Sequence, residues 1–445
     1  MRTGPQPVLV LIFLIIYLPL FAGDEAGHEK FFGNNNPRVQ CDQKAIGLTD
    51  EISAYFTVRG TVRDITTGKP VAFASVSLEG SYIGIVSNLD GEFTLKVPAG
   101  VKGRNRVISI SHIGYKRADY SIDEIPVGGR EYVIEPQSLQ LEEVMIKPAD
   151  ARSIVAGALN RVGENYPETP YRLTGFYRET IRQRKDYVSI SEAVVDIYQA
   201  PYNSVHENDG FRIIQGRKSG NVKKADTLLV KLQGGPHVSM LLDIIKNPHL
   251  LISKESINYY TYDLTDLVTT DEGSSYVIAF RPRVKLSYPL FYGKLHISAD
   301  RLAITMAEFS LDLSDKSQAA QNFILRKPAR LRFNPVNTKY MVQYKEVDGR
   351  YYVDYLRYEL EFLADWRRRF FRTGYTIMSE MAITSRTDQN LQKFSSKEAF
   401  RPAAILSDQV NVFFDNEFWG EYNIIEPDQS IHAAIRKLNR MAVDW

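Results

Sequence analysis

From Phe56 onward apolar and polar residues alternate in short runs, FTVRGTVR, VAFASVSLEG and EFTLKVP. A two-residue period puts every second side chain on one face, the mark of a strand with one side buried. Thr67-Gly68-Lys69-Pro70 and Ser87-Asn88-Leu89-Asp90-Gly91 separate these runs with turn-forming residues, and Asp90-Gly91 predicts a hairpin. Further runs at 107–112, 116–122, 131–134 and 141–146 bring the total to seven or eight strands. That many short strands in about ninety residues predicts a small β-sandwich over residues 55–147.

The pattern then changes. Pro148 closes the sandwich, and Asp150 stands as an N-cap before ARSIVAGALNRV, where Ile154, Ala158, Leu159 and Val162 recur at helical spacing up to Gly163. Residues 148–165 are therefore a linker helix between two units. Beyond it the two-residue period returns in RLTGFYRETI, YVSISEAVVDIY, LAITMAEFSLDL and YMVQYKEVDGRYYVDYLRYELEF, with Asp348-Gly349 predicting a second hairpin. Residues 166–445 read as one large antiparallel sheet with a few short helices. One helix is expected in MLLDIIKNPHLL, on Met240, Leu241, Ile244 and Ile245, ending before Pro248. Another is expected in IHAAIRKLNRM, capped by Asp428 or Ser430, with Ile431, Ile435 and Leu438 on one face. The fold class is mainly β, a sandwich followed by a larger α+β unit.

Composition narrows the setting. The chain has 445 residues, 55 basic against 53 acidic, for a net charge of +2. Two or three domains fit that length, and so weak a charge gives no global field for nucleic acid. The single cysteine, Cys41, can neither close an intrachain disulfide nor build a thiolate cage. At the start, Arg2 precedes residues 8–22, apolar apart from Tyr17 and Pro19, and then Gly23-Asp24-Glu25. This layout predicts a cleaved secretory signal over 1–23 and a flexible lead over 24–54. An uncleaved anchor is the rival, disfavoured by Pro19 and the short apolar length. The expected location is the periplasm or the periplasmic face of the outer membrane.

The stretch VRGTVRDITTGKPVAFASVSLEGSYIGIVSNLDGEFTLKVPAG, with ISISHIGYKRADYSI and LQLEEVMI, resembles the carboxypeptidase regulatory-like domain that precedes many outer-membrane nutrient receptors of the SusC type. The matching positions are Gly60, Asp64 with Gly68-Lys69-Pro70, Ala74, Val76, Asp90-Gly91, Phe93, Ile113-Gly114-Tyr115 and Leu141-Glu142-Glu143-Val144. The resemblance covers residues 56–147 and implies a prealbumin-like, non-catalytic module. No plug sequence follows Val144, and the chain is too short for those receptors' barrel. The segment YPLFYGKLHISADRLAITMAEFSLDL resembles exported proteins that join this sandwich to an uncharacterised β-rich domain. More distantly it resembles the half-barrel of LolA-like lipoprotein carriers, which implies an apolar concavity.

Catalytic patterns are missing from the sequence. None of the seven histidines is followed three residues later by Glu, as a metallo-carboxypeptidase site needs, so no metal, cofactor or catalytic residue is expected. In Gly216-Arg217-Lys218-Ser219-Gly220 the serine is misplaced for a nucleophile elbow, and Pro70 replaces the Ser or Thr of a phosphate loop. Two groups remain as ligand-binding candidates. Trp366 and Arg368, in Trp366-Arg367-Arg368-Arg369-Phe370-Phe371-Arg372, suit an anionic groove, although an edge strand with arginines in water is the plainer reading. Tyr288, Phe291 and Tyr292 lie near Pro289 and Gly293 and suit a pocket rim. The sequence thus reads as a non-enzymatic envelope protein. Its sandwich makes protein contacts, with an outer-membrane protein as the expected partner, and its large unit binds an apolar or polymeric ligand, an amphiphile or a glycan. The alternatives are a small outer-membrane β-barrel, whose terminal signal Met441, Val443 and Trp445 imitate, and a hydrolase of unrecognised type using paired acids such as Asp263 and Asp266.

Overall fold

The structure, a computed structural model, describes residues 13–17, 55–101, 106–124, 129–137, 150–204, 207–219, 229–270, 273–327, 331–366, 372–412 and 418–443. Most of the expected leader, the lead with Cys41, the 141–146 run and Arg368 lie outside the described residues.

After strand β1 (Phe13–Tyr17) come β2 (Tyr55–Asp64), β3 (Ser75–Leu78), β4 (Gly84–Val86), β5 (Glu92–Pro98), β6 (Val107–Ser111), β7 (Ala118–Ser121) and β8 (Arg130–Ile134). They form two facing sheets, ordered β5-β2-β8 and β4-β3-β6-β7, a seven-stranded sandwich. Alternation drives it: Val58 and Val62, Phe93, Leu95 and Val97, Val76 and Leu78, and Ile108 with Ile110 all turn inward and are buried. Gly60 is dictated by contact, because a Cβ there would sit 2.3 Å from the Tyr132 ring. Asp90-Gly91 makes a tight turn but not a hairpin, since β4 and β5 belong to opposite sheets. Asn88 shapes that turn, its Oδ1 accepting from the N–H of Asp90 at 2.9 Å and of Glu92 at 2.8 Å.

Asp150 caps α1 (Ala151–Asn160) as expected, and α2 (Val162–Asn165) follows it. Then follow β9 (Tyr171–Gln183), β10 (Asp186–Gln199), β11 (Gly210–Ser219), β12 (Leu229–Gln233), α3 (Pro236–Met240), β13 (Tyr260–Thr270), β14 (Gly273–Pro282), β15 (Phe291–Ser298) and β16 (Ile304–Leu311). The chain continues with α4 (Lys316–Gln321), β17 (Ile324–Arg326), β18 (Leu331–Val347), β19 (Arg350–Trp366), β20 (Thr373–Thr387), α5 (Leu406–Gln409), β21 (Asn411–Val412) and α6 (Gln429–Val443). The large sheet runs β13-β14-β15-β16-β18-β19-β20-β9-β10-β11-β21. Its strands are antiparallel except the two-residue β21, which pairs parallel to β11. Among the described residues the terminal strands β13 and β21 do not pair with each other, so the sheet they form is open.

Two departures from regular structure have clear causes. Asp348 and Gly349 have φ of 51° and 76°, the doubly left-handed turn that joins two seventeen-residue strands, with Val347 opposite Arg350. The helix expected from Met240 to before Pro248 does not form: α3 spans Pro236–Met240, and residues 241–250 run in turns. Asp243 is wholly buried there, accepting hydroxyl bonds from Tyr202 at 2.6 Å and Tyr344 at 2.8 Å, and the chain follows that inward pull in turns.

The sheet buries both faces. On one, Tyr177, Phe291, Tyr340 and Phe362 join α1 and the 238–257 segment in the main core. On the other, Phe176, Val194, Tyr355 and Ala382 merge with the interior of the sandwich, as do Trp419 and Ile425 from the C-terminal segment. Phe73 stacks on Tyr355 with ring centres 5.3 Å apart. The C-terminal segment is bonded to the sandwich as well: Lys96 N–H donates to Asn423 Oδ1 at 2.6 Å, and Gln429 N–H to Asp90 Oδ2 at 2.9 Å.

Candidate functional site: the cleft between sandwich and sheet

Buried charges tie the C-terminal segment to the sheet where the sandwich docks. Arg178, 1% exposed, donates to Glu192 at 2.8 Å, to Glu380 at 2.9 Å and to the Ile425 carbonyl at 2.7 Å. Arg217 binds the second oxygen of Glu192 at 2.8 Å. Arg357 and the Tyr355 hydroxyl hold the second oxygen of Glu380 at 3.1 and 2.9 Å. Burial alone would raise the Glu192 carboxyl, but the guanidiniums of Arg178 and Arg217 outweigh it and hold the group below the usual carboxylate range. Arg357 also lies 5.3 Å from the centre of the Phe73 ring, and Arg217 4.9 Å from that of Trp419, so the charges carry the aromatic contacts of the dock.

Beside this dock a cleft of about 600 Å³ opens between the two bodies. From the sandwich come β3, β6 and the turns after them, with Ser75, Ser77, Glu79, Tyr82, Ser109, Ser111, His112, Tyr115 and Arg117. From the sheet come Ser274, Ser275, Ser298, Asp300, Thr305, Lys345, Glu346, Asp348, Tyr351 and Asp354. Charged side chains in the lining comprise five carboxylates and two cations. The walls are tied at the mouth, where the Tyr82 hydroxyl donates to Asp348 at 2.6 Å. Burial raises the Asp354 carboxyl, opposed by Lys345 and Ser75. On the sandwich wall Glu79 is bridged to Arg117, and the Ser109 hydroxyl donates to Glu79 at 2.9 Å.

His112 lines the cleft, and His296 lies on β15 of the sheet. Nδ1 of His112 and Nδ1 of His296 are both buried without a hydrogen-bond partner. Burial, helped by Lys294 and His112 and opposed by Asp266, pushes His296 down to about 4. Burial lowers His112 as well. Among the described residues no three His, Cys, Asp or Glu side chains are grouped to hold a metal ion.

The residues singled out in the sequence lie elsewhere. Phe291 is 1% exposed and packs edge-on against Phe309 and Tyr340, with Tyr288 half-buried in the same covered-face core. Tyr292, the next residue, is 48% exposed, so the structure brings Tyr288 and Phe291 into one core and leaves Tyr292 outside it. Trp366 is the last residue of β19, opposite Leu331. Sequence reading missed the cleft because its walls come from segments far apart in the chain. The available signal was a set of charges, Lys345, Glu346 and Asp354, set among the tyrosines of β18 and β19.

The structure thus sets an open sheet against a docked sandwich with a polar cleft between them. Residues 58–146 match the model of the CarboxypepD_reg-like domain, and this part of the chain is similar to that domain. A segment of 98 residues is 34% identical to the TonB-dependent receptor SusC of Bacteroides thetaiotaomicron, covering 22% of this chain and 9% of that receptor. Among solved structures, a DUF1329 family protein from Desulfovibrio piger matches 55% of this chain and 95% of its own at 12% identity and a TM-score of 0.22. A domain described as an outer membrane lipoprotein-sorting protein from Vibrio parahaemolyticus matches 56% and 96% at 10% identity and 0.24. The Pseudomonas aeruginosa MucA/MucB complex matches 53% and 94% at 11% and 0.18. These TM-scores are too low to establish a common fold.

Proposed function

We propose that the chain is a non-enzymatic, exported envelope protein that holds a polymeric, hydroxyl-rich ligand, a glycan, in the cleft between sandwich and sheet. The observation that carries this reading is the chemistry of the cleft. Its volume of about 600 Å³ suits a ligand segment of small-molecule size. Sugar hydroxyls complement its carboxylate and serine acceptors. An acyl chain would leave those polar groups desolvated and unpaired. Acidic polymers meet an excess of negative charge. The covered face of the sheet is occupied by the protein's own side chains, which favours the cleft over that face as the ligand site. Export is supported by residues 8–22, and the sandwich, matched in a TonB-dependent receptor, is the natural surface for an envelope protein partner.

Calorimetric titration with soluble neutral oligosaccharides, with dextran sulfate as the acidic control, tests the reading. One site per chain is expected, weakened at least tenfold by Asp354→Asn or Glu346→Gln with little change in melting temperature. No binding of any neutral glycan, or binding unaltered by both substitutions, overturns it.

A further inference from the structure

Strand β1, the part of the expected leader that the structure describes, lies in a slot between two other strands. It pairs antiparallel with β12, from Phe13 opposite Gln233 to Tyr17 opposite Leu229. On its other side it runs parallel to β17, with Leu14 opposite Ile324 and Ile15 opposite Arg326. The order β12-β1-β17 makes β1 the centre of a three-stranded sheet in which the outer strands touch only through it.

Both walls of the slot also make contacts to parts of the protein other than β1. In β12, Val230 and Leu232 are buried in the main core. Lys231 Nζ holds both oxygens of Asp408 at 2.6 and 2.7 Å, and Gln233 Nε2 donates to the Ala403 carbonyl at 2.9 Å. Immediately before β17, Phe323 is wholly buried and packs on Phe333. Strands that flank a third lie about 10 Å apart, too far to bond to each other. Without β1 the slot therefore presents two facing rows of unpaired backbone N–H and C=O groups.

We infer that this slot is a docking site for an extended apolar segment of a partner polypeptide, which enters as a central strand where β1 lies. The inference rests on the export reading, in which removal of the leader frees the slot. A peptide is required rather than a lipid, because only a backbone can satisfy donors and acceptors on both walls, whereas an acyl chain would leave them unpaired. At least five residues are needed to span the pairing with β12. The register places Leu14 and Ile16 opposite the buried Leu232 and Val230, so the partner segment carries apolar residues at alternate positions.

The experiment uses the chain exported and purified from its native host. Intact mass first shows whether residues 1–22 are gone. A fluorescein-labelled peptide KKFLIIYKK is then titrated by anisotropy, and hydrogen exchange is followed at residues 229–233 and 324–326. The expected result is saturable binding of one equivalent with protection of both strands. The peptide KKFLPIYKK, which lacks the central backbone N–H, should bind at least tenfold more weakly. Retention of residues 13–17 in the exported chain overturns the inference. So does equal binding of the two peptides, displacement by a fatty acyl probe, or protection of neither strand. None of these results bears on the cleft, whose test is separate.

Discussion

Arg178→Met removes the central cation of the dock while nearly keeping its volume. Two ion pairs, at 2.8 and 2.9 Å, and a carbonyl bond at 2.7 Å are lost together. Stranding a buried charge by removing its partner costs about 3–5 kcal/mol. Glu192 keeps Arg217 and Glu380 keeps Arg357, so the expected cost is at the lower end, about 3 kcal/mol. At roughly 2–4 °C per kcal/mol for a large domain, the melting temperature should fall by about 6–12 °C at pH 7.5. Because Glu192 is held below its unfolded value, its contribution is present above the unfolded pKa and is lost as pH falls through the folded one. The variant's deficit should accordingly be largest at neutral pH and shrink near pH 4, where the stranded carboxylate can take a proton. Calorimetric melts at pH 7.5 and 4 measure both quantities. A fall below about 2 °C, or a deficit that grows on acidification, refutes the view that this network carries net stability.

Glu179 is 4% exposed on the covered face, and burial raises its carboxyl to about 8 despite a bond from the Tyr177 hydroxyl. A raised acid favours folding below its unfolded pKa and loses that contribution as pH climbs toward 8, so Glu179→Gln should raise the melting temperature at pH 7.5 and leave it nearly unchanged at pH 4.5. His296 is buried neutral, so its contribution is present above the unfolded value and disappears as pH falls from about 6.5 toward 4. Denaturant titrations of His296→Asn across that range should show a shallower loss than the parent chain. Gly60→Val drives a side chain into the Tyr132 ring and the Arg130 carbonyl, and should cost at least about 2 kcal/mol by urea unfolding.

Local rules recovered the strands because alternation decides which side chains leave water. Asp348-Gly349 was legible for the same reason: its backbone demand is met by two residues and needs no distant partner. Asp90-Gly91 has the same chemistry, yet it turns the chain between opposite sheets, a choice made by sandwich packing and not by the turn. Asp150 identified its helix, whereas the helix expected around Asp243 does not form, and Asp243, inside an apolar run, instead binds tyrosines 41 and 101 positions away. Arg178 could not be distinguished from a solvent-facing arginine, because alternation separates two faces of a strand without saying what covers each. The cleft was least legible of all. Tyr82 and Asp348 meet across 266 residues, and nothing local to either segment marks the encounter.

Hydrogen exchange of the chain purified from its native host, with and without the neutral oligosaccharide that binds best in titration, tests the central claim most directly. The account predicts slowed exchange on both walls of the cleft, at residues 109–112 of the sandwich and 345–348 of the sheet, with β9 and β10 unchanged. Protection confined to the sheet's edge strands, or none at either wall under saturating ligand, would contradict it.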